Sequence, residues 1–183
     1  MTTSRPIRFF IALLPPPEVD EYANAVIREL SDRYWTRTAK APPHITLQPP
    51  FEWPLERLPE LAASLNVFAQ GRSPVPITLD GFGAFRPSVL FIDVLKSPEL
   101  MTLQAELMQH LEDRLGIVDA KNKRRGFSPH MTVASRNMSP AIFRNAWAEL
   151  QPRNLTFNFL GDRLTLLIHQ GECWDVRDHA ILR

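Results

Sequence analysis

The pentapeptide Pro43-His44-Ile45-Thr46-Leu47 returns as Pro129-His130-Met131-Thr132-Val133, an offset of 130 − 44 = 86 residues. At this composition Pro-His-x-Thr-apolar arises by chance about 0.01 times per chain, so two copies mark a duplication. The flanking sequence repeats as well. Phe10-Ile11-Ala12-Leu13-Leu14-Pro15-Pro16-Pro17-Glu18-Val19 aligns without gaps on Phe91-Ile92-Asp93-Val94-Leu95-Lys96-Ser97-Pro98-Glu99-Leu100, an offset of 91 − 10 = 81, and Pro54 matches Pro140 at the motif's own offset. The repeat covers approximately 8–70 and 89–150, and each half continues into a further strand. A repeat present only twice, with several elements in each copy, implies two lobes related by a pseudo-twofold axis and not a solenoid.

Working outward, residues 8–14 are β-branched and aromatic enough for a buried strand, stopped by Pro15-Pro16-Pro17. Val19, Tyr22, Val26, Ile27 and Leu30 then recur at helical steps, predicting a helix from Pro17 to about Tyr34. The motif strand at 44–48 is fenced by Pro42-Pro43 and Pro49-Pro50, and a helix opened by Pro59 runs to Gly71. Strands follow at 75–85 and 89–95. Ser97-Pro98-Glu99 starts a Leu-rich helix that Gly116 ends, and residues 118–126 read as a solvated loop. A strand at 130–134, a helix opened by Ser139-Pro140 and strands at 154–160, 163–169 and 173–182 complete the chain. Tight turns after Gly161 and Gly171 predict antiparallel hairpins. The fold class is therefore α+β: one bilobed domain over residues 1–183, its lobes intertwined, with two antiparallel sheets and outer helices about a central cleft.

Composition limits the function. The single cysteine, Cys173, excludes a disulfide scaffold and a multi-cysteine zinc site, reads as a small buried hydrophobe, and suits the cytoplasm. A formal charge of +1 argues against coating long nucleic acid by bulk electrostatics. The 17 prolines raise the question of disorder, which a 44% hydrophobic content answers in favour of a packed core. No apolar run approaches the roughly 18 residues of a membrane span, so no membrane partner is expected. A monomer is expected.

On a strand, residues i and i+2 share a face, so His44 and Thr46 point one way and Ile45 and Leu47 the other. His130 and Thr132 repeat the arrangement. If the lobes face each other, two imidazoles and two hydroxyls converge. One neutral His can then take the proton of an attacking water or hydroxyl at phosphorus while an imidazolium protonates the departing oxygen, and the threonines donate to the non-bridging oxygens. This chemistry calls for no metal and no cofactor. Two core histidines or a zinc site are the competing readings, but the latter lacks a carboxylate or thiol at ligand spacing. The chain has no Gly-x-Ser-x-Gly elbow and no Walker or dinucleotide glycine pattern.

His44-Ile45-Thr46-Leu47 and His130-Met131-Thr132-Val133 resemble the paired His-x-Thr-x signatures of the 2H phosphoesterase superfamily. The stretch from Pro42 to Phe51, with the opening Arg8-Phe9-Phe10-Ile11-Ala12-Leu13, is similar to its bacterial 2′-5′ RNA ligase branch, which includes RNA 2′,3′-cyclic phosphodiesterases. The resemblance implies a bilobed fold and metal-independent hydrolysis of 2′,3′-cyclic phosphates, on RNA ends or small cyclic nucleotides, to 2′-phosphomonoesters, with reversible 2′-5′ joining in some members. It gives His44 and His130 the acid and base roles, leaning to His130 as base, and Thr46 and Thr132 the phosphate contacts. Many relatives carry an Arg five residues after the second His; here that position is Ser135, and Arg136 inherits the role if the strand continues regularly. A non-catalytic nucleotide or RNA-end binding module using the same cleft is the alternative.

Lys121, Lys123, Arg124 and Arg125 form a basic run suited to steering RNA phosphates or to a solvated loop. Phe10, Phe51 and Phe127 are candidates for base stacking, with core packing as the other reading. His110, His169 and His179 lack a Thr partner and read as structural or surface residues.

Overall fold

The computed structural model describes residues 6–119 and 125–183. In chain order it contains β1 (Ile7–Leu13), α1 (Pro17–Tyr34), β2 (Ile45–Trp53), a single 3-10 turn, α2 (Leu58–Ala69), β3 (Val75–Phe85) and β4 (Val89–Val94). Then come α3 (Pro98–Leu115), β5 (His130–Ala134), α4 (Pro140–Leu150), β6 (Thr156–Gly161), β7 (Arg163–Gln170) and β8 (Cys173–Ile181). The strands form two four-stranded sheets, ordered β2-β1-β7-β8 and β5-β4-β3-β6, and every pairing is antiparallel.

The helices start where local chemistry tells them to. Pro17 occupies the first turn of α1 with Glu18 and Asp20, which favour the positive end of the helix dipole. Ser97 caps α3 by accepting the Leu100 amide at 3.2 Å, and Ser139 caps α4 through the Ile142 amide at 3.2 Å. Gly116 ends α3 in the left-handed region, φ 68°, its N–H returning to Glu112. Leu100, Leu103, Leu107 and Leu111 line the buried stripe of α3, each worth about 1.5–3 kcal/mol against exposure.

Each sheet borrows its third strand from the other half. β3, which ends the first half, pairs with β4 and β6 in the second sheet, while β7 fills the matching place beside β1. One hydrophobic core runs through both sheets and all four helices. A small separate cluster of Phe10, Ala12, Leu167 and Trp174 covers the opposite face of the first sheet, so β1 is buried on both sides.

Three details depart from the expectations. β7 and β8 form the hairpin expected at Gly171, but β6 and β7 do not pair: after Gly161 the chain passes from one sheet to the other through Asp162 alone. Gly161 suits the crossing because a Cβ there would stand 3.0 Å from Leu13 Cδ1. β2 does not stop at Pro49-Pro50; as an edge strand it tolerates them in a bulge, Phe9 facing Phe51 while Ile11 faces Gln48. Finally, cross-strand pairing with the motif threonines sets Ala12 against Thr46 and Phe91 against Thr132, an equivalence of 91 − 12 = 79. The gapless alignment is thus slipped by two residues, one strand period, which leaves the inward and outward alternation intact.

Candidate active site

β2 and β5, the strands that carry the two motifs, touch each other. Pro43 and Pro129 are buried, and Ile45, Leu47, Met131 and Val133 anchor the strands in the core. His44, Thr46, His130 and Thr132 are each half-buried on the other face. The same bulge follows in both copies: Leu47 and Val133, the fourth motif residues, are extra residues against β1 and β4.

The imidazoles are fixed alike. His44 Nδ1 lies 2.7 Å from the Pro42 carbonyl oxygen, and His130 Nδ1 lies 2.8 Å from that of Ser128. A carbonyl only accepts, so each Nδ1 carries a proton, and in the neutral ring each Nε2 is left as an acceptor. Aromatic rings wedge both side chains. Phe10 meets His44 at 4.8 Å between centroids, and His130 packs against the touching pair Phe85, at 4.9 Å, and Phe91, at 5.2 Å. Gly83 makes room for Phe91, because a Cβ there would stand 2.2 Å from the ring.

The electrostatics break this symmetry. Burial pushes His44 below the ordinary imidazole value; the Pro42 carbonyl opposes that shift, and charge on His130 adds to it. Burial also lowers His130, against the raising influence of the Ser128 carbonyl and of Asp93. Asp93 is the cross-strand partner of His130, whereas the β1–β2 register extended by one sets Leu14 opposite His44. The influence of His130 on His44 puts the two rings within electrostatic reach of each other.

Other predicted residues lie elsewhere or play different parts. β5 ends at Ala134 and carries the bulge, so the regular continuation required for Arg136 fails. Arg136 instead pairs through its backbone with Arg37 and is exposed. Phe10 is buried between His44 and Trp174, while Phe51 and Phe127 are half-buried against the main core. Lys121, Lys123 and Arg124 fall outside the described residues; Arg125 is exposed at a cavity of ≈ 790 Å³ near the end of α3. His110 contacts Ser64, and His179 contacts Thr165. Cys173 is not the buried hydrophobe expected: it is partly exposed, its thiol 3.7 Å from the Asp175 carboxylate. Among the described residues no cluster of three or more His, Cys, Asp and Glu side chains is grouped to hold a metal ion. Asp93, Phe85, Phe91 and Trp174 went unnoticed in the sequence. Only Asp93 left a signal there, a lone acid in the apolar run from Val89 to Val94.

Two His-x-Thr-x strands touching between two strand-exchanged antiparallel sheets define a 2H phosphoesterase. A family model, the 2′-5′ RNA ligase superfamily, matches residues 15–172, and the chain belongs to that family. A Bacillus cytotoxicus protein described as a phosphoesterase is 29% identical over 171 residues, 92% of each chain. A Geobacillus kaustophilus protein of the same description is 27% identical over 179 residues, 96% of each. Among solved structures, TT0787 of Thermus thermophilus superposes with a TM-score of 0.69 at 23% identity, covering 97% of this chain and 98% of its own. Escherichia coli LigT, solved with NADP+, gives 0.65 at 20% identity, covering 98% and 99%. At such identities these two share the fold.

Proposed function

We propose that the protein hydrolyses 2′,3′-cyclic phosphates, at RNA ends or on small nucleotides, to 2′-phosphomonoesters. The observation that carries this reading is the matched pair of imidazoles, each with Nδ1 tied to a backbone carbonyl and Nε2 left to exchange a proton. Asp93 favours a proton on His130, and charge there disfavours one on His44, so His130 is assigned the acid role and His44 the base. His44 Nε2 takes a proton from water as its oxygen attacks phosphorus, the bond from phosphorus to O3′ breaks, and His130 delivers its proton to O3′. This reverses the lean that family resemblance gives. The hydroxyls of Thr46 and Thr132 donate to the non-bridging oxygens, where negative charge grows. The reaction balances without a metal, and 2′-5′ joining is the same displacement with a ribose 5′-hydroxyl in place of water. LigT has been solved with 3′-AMP and with ATP, which supports a nucleotide as the ligand of this cleft.

The test is incubation with 2′,3′-cyclic AMP, cyclic-phosphate-ended RNA and ADP-ribose cyclic phosphate, with products separated by chromatography. A 2′-phosphate product that survives EDTA supports the reading. Tight binding with no product from any of the three would instead identify a nucleotide-binding module, the reading favoured by the absence of Arg136 from the motif face.

A further inference from the structure

Beside His44, the face of the first sheet turned away from the main core carries a chain of rings. Phe10 touches Trp174 at 4.7 Å, and Trp174 touches His169 at 4.8 Å. Arg8 closes the chain: one guanidinium nitrogen lies 3.3 and 3.2 Å from the two nitrogens of His169, and its Cζ stands 5.8 Å from the Trp174 ring centroid. Arg8 is exposed and forms no ion pair among the described residues, although Glu52 is its cross-strand partner in β2. A guanidinium seated on rings and not on a carboxylate retains most of its five donors. Phe10 and Trp174 are buried, so they form a fixed floor under it. Arg8 and Phe10 share a strand face about 7 Å apart, one nucleotide step from the ring that contacts His44.

We infer that Arg8, seated on His169 and Trp174, is a second anion subsite that takes the neighbouring phosphodiester of an oligonucleotide whose terminal phosphate lies between His44 and His130. The inference rests on the proposed function and names its substrate class, an RNA end in preference to a free mononucleotide. It also assigns His169, without a Thr partner, a positioning part.

Calorimetry separates the two ideas because it needs no turnover. An RNA dinucleotide ending in a 3′-phosphate and 3′-AMP are titrated into wild type, Arg8→Ala and Arg8→Lys at two salt concentrations. In Arg8→Ala the dinucleotide should bind about tenfold more weakly, with a salt slope smaller by about one, while 3′-AMP changes less than about twofold. Arg8→Lys should fall between, since a point charge replaces the fork. Equal weakening of both ligands, no weakening of either, or no dinucleotide binding to wild type would overturn the subsite. Wild type that binds the dinucleotide with the expected Arg8 dependence but makes no product from cyclic-phosphate-ended RNA overturns the phosphodiesterase reading alone.

Discussion

Asp93 is where the duplication stops being symmetric, since the place opposite His44 corresponds to Leu14 and not to a second acid. If the acid's proton sits on His130, the alkaline limb of the pH–rate profile reports its loss, and Asp93→Asn should move that limb to lower pH with little change in KM. An unmoved limb would mean that the carboxylate does not choose the proton's seat. His44→Ala and His130→Ala should each lower kcat by about 10²–10⁴-fold while the circular-dichroism spectrum stays unchanged. Wild-type turnover in either folded variant would remove the acid and base from the mechanism. The four motif residues were legible in the sequence because a recurring pentapeptide needs no tertiary knowledge. Arg136 was not, since its place depended on a bulge that five residues of strand do not announce.

At the scale of elements, caps and glycines carry specific loads. Ser97→Ala removes the side-chain acceptor of the Leu100 amide and should cost about 1 kcal/mol, read as a lower urea midpoint at constant slope. Gly83→Ala drives a methyl into Phe91, whose ring also packs on Phe85 and His130. Overpacking of this kind typically costs about 1–3 kcal/mol, and here it should also lower kcat, because the ring that yields is the one wedging His130. A variant with normal turnover would show that Phe91 is not needed to hold the imidazole. Helix starts were readable at Ser97-Pro98 and Ser139-Pro140, where capping chemistry is local. The partner of a strand is not local: the sequence around Gly161 looks like a hairpin turn, and only the whole fold reveals that β6 and β7 lie in different sheets.

Across the molecule, burial depresses the pKa of His44, His110 and His130, so the unfolded chain binds more protons than the native one in the acid range. The stability these buried rings contribute is present above the unfolded value near 6.5 and is lost as pH falls through the lower folded values, so Tm should drop between about pH 7 and 5. A Tm flat over that window would place the three rings in solvent. Strand exchange adds a second expectation. A fragment ending after β3 keeps only β1 and β2 of its own sheet, and a two-stranded sheet is marginal in water. It should remain unfolded alone and fold on mixing with the complementary fragment.

The crossing at Asp162 gives the fold one more property. A single residue joins β6, hydrogen-bonded into one sheet, to β7, hydrogen-bonded into the other, so the chain has no slack there to let the sheets hinge apart. If the spacing of the imidazoles is held in this way, the proposed activity should select its ester by fit between them and not by closure around whatever enters.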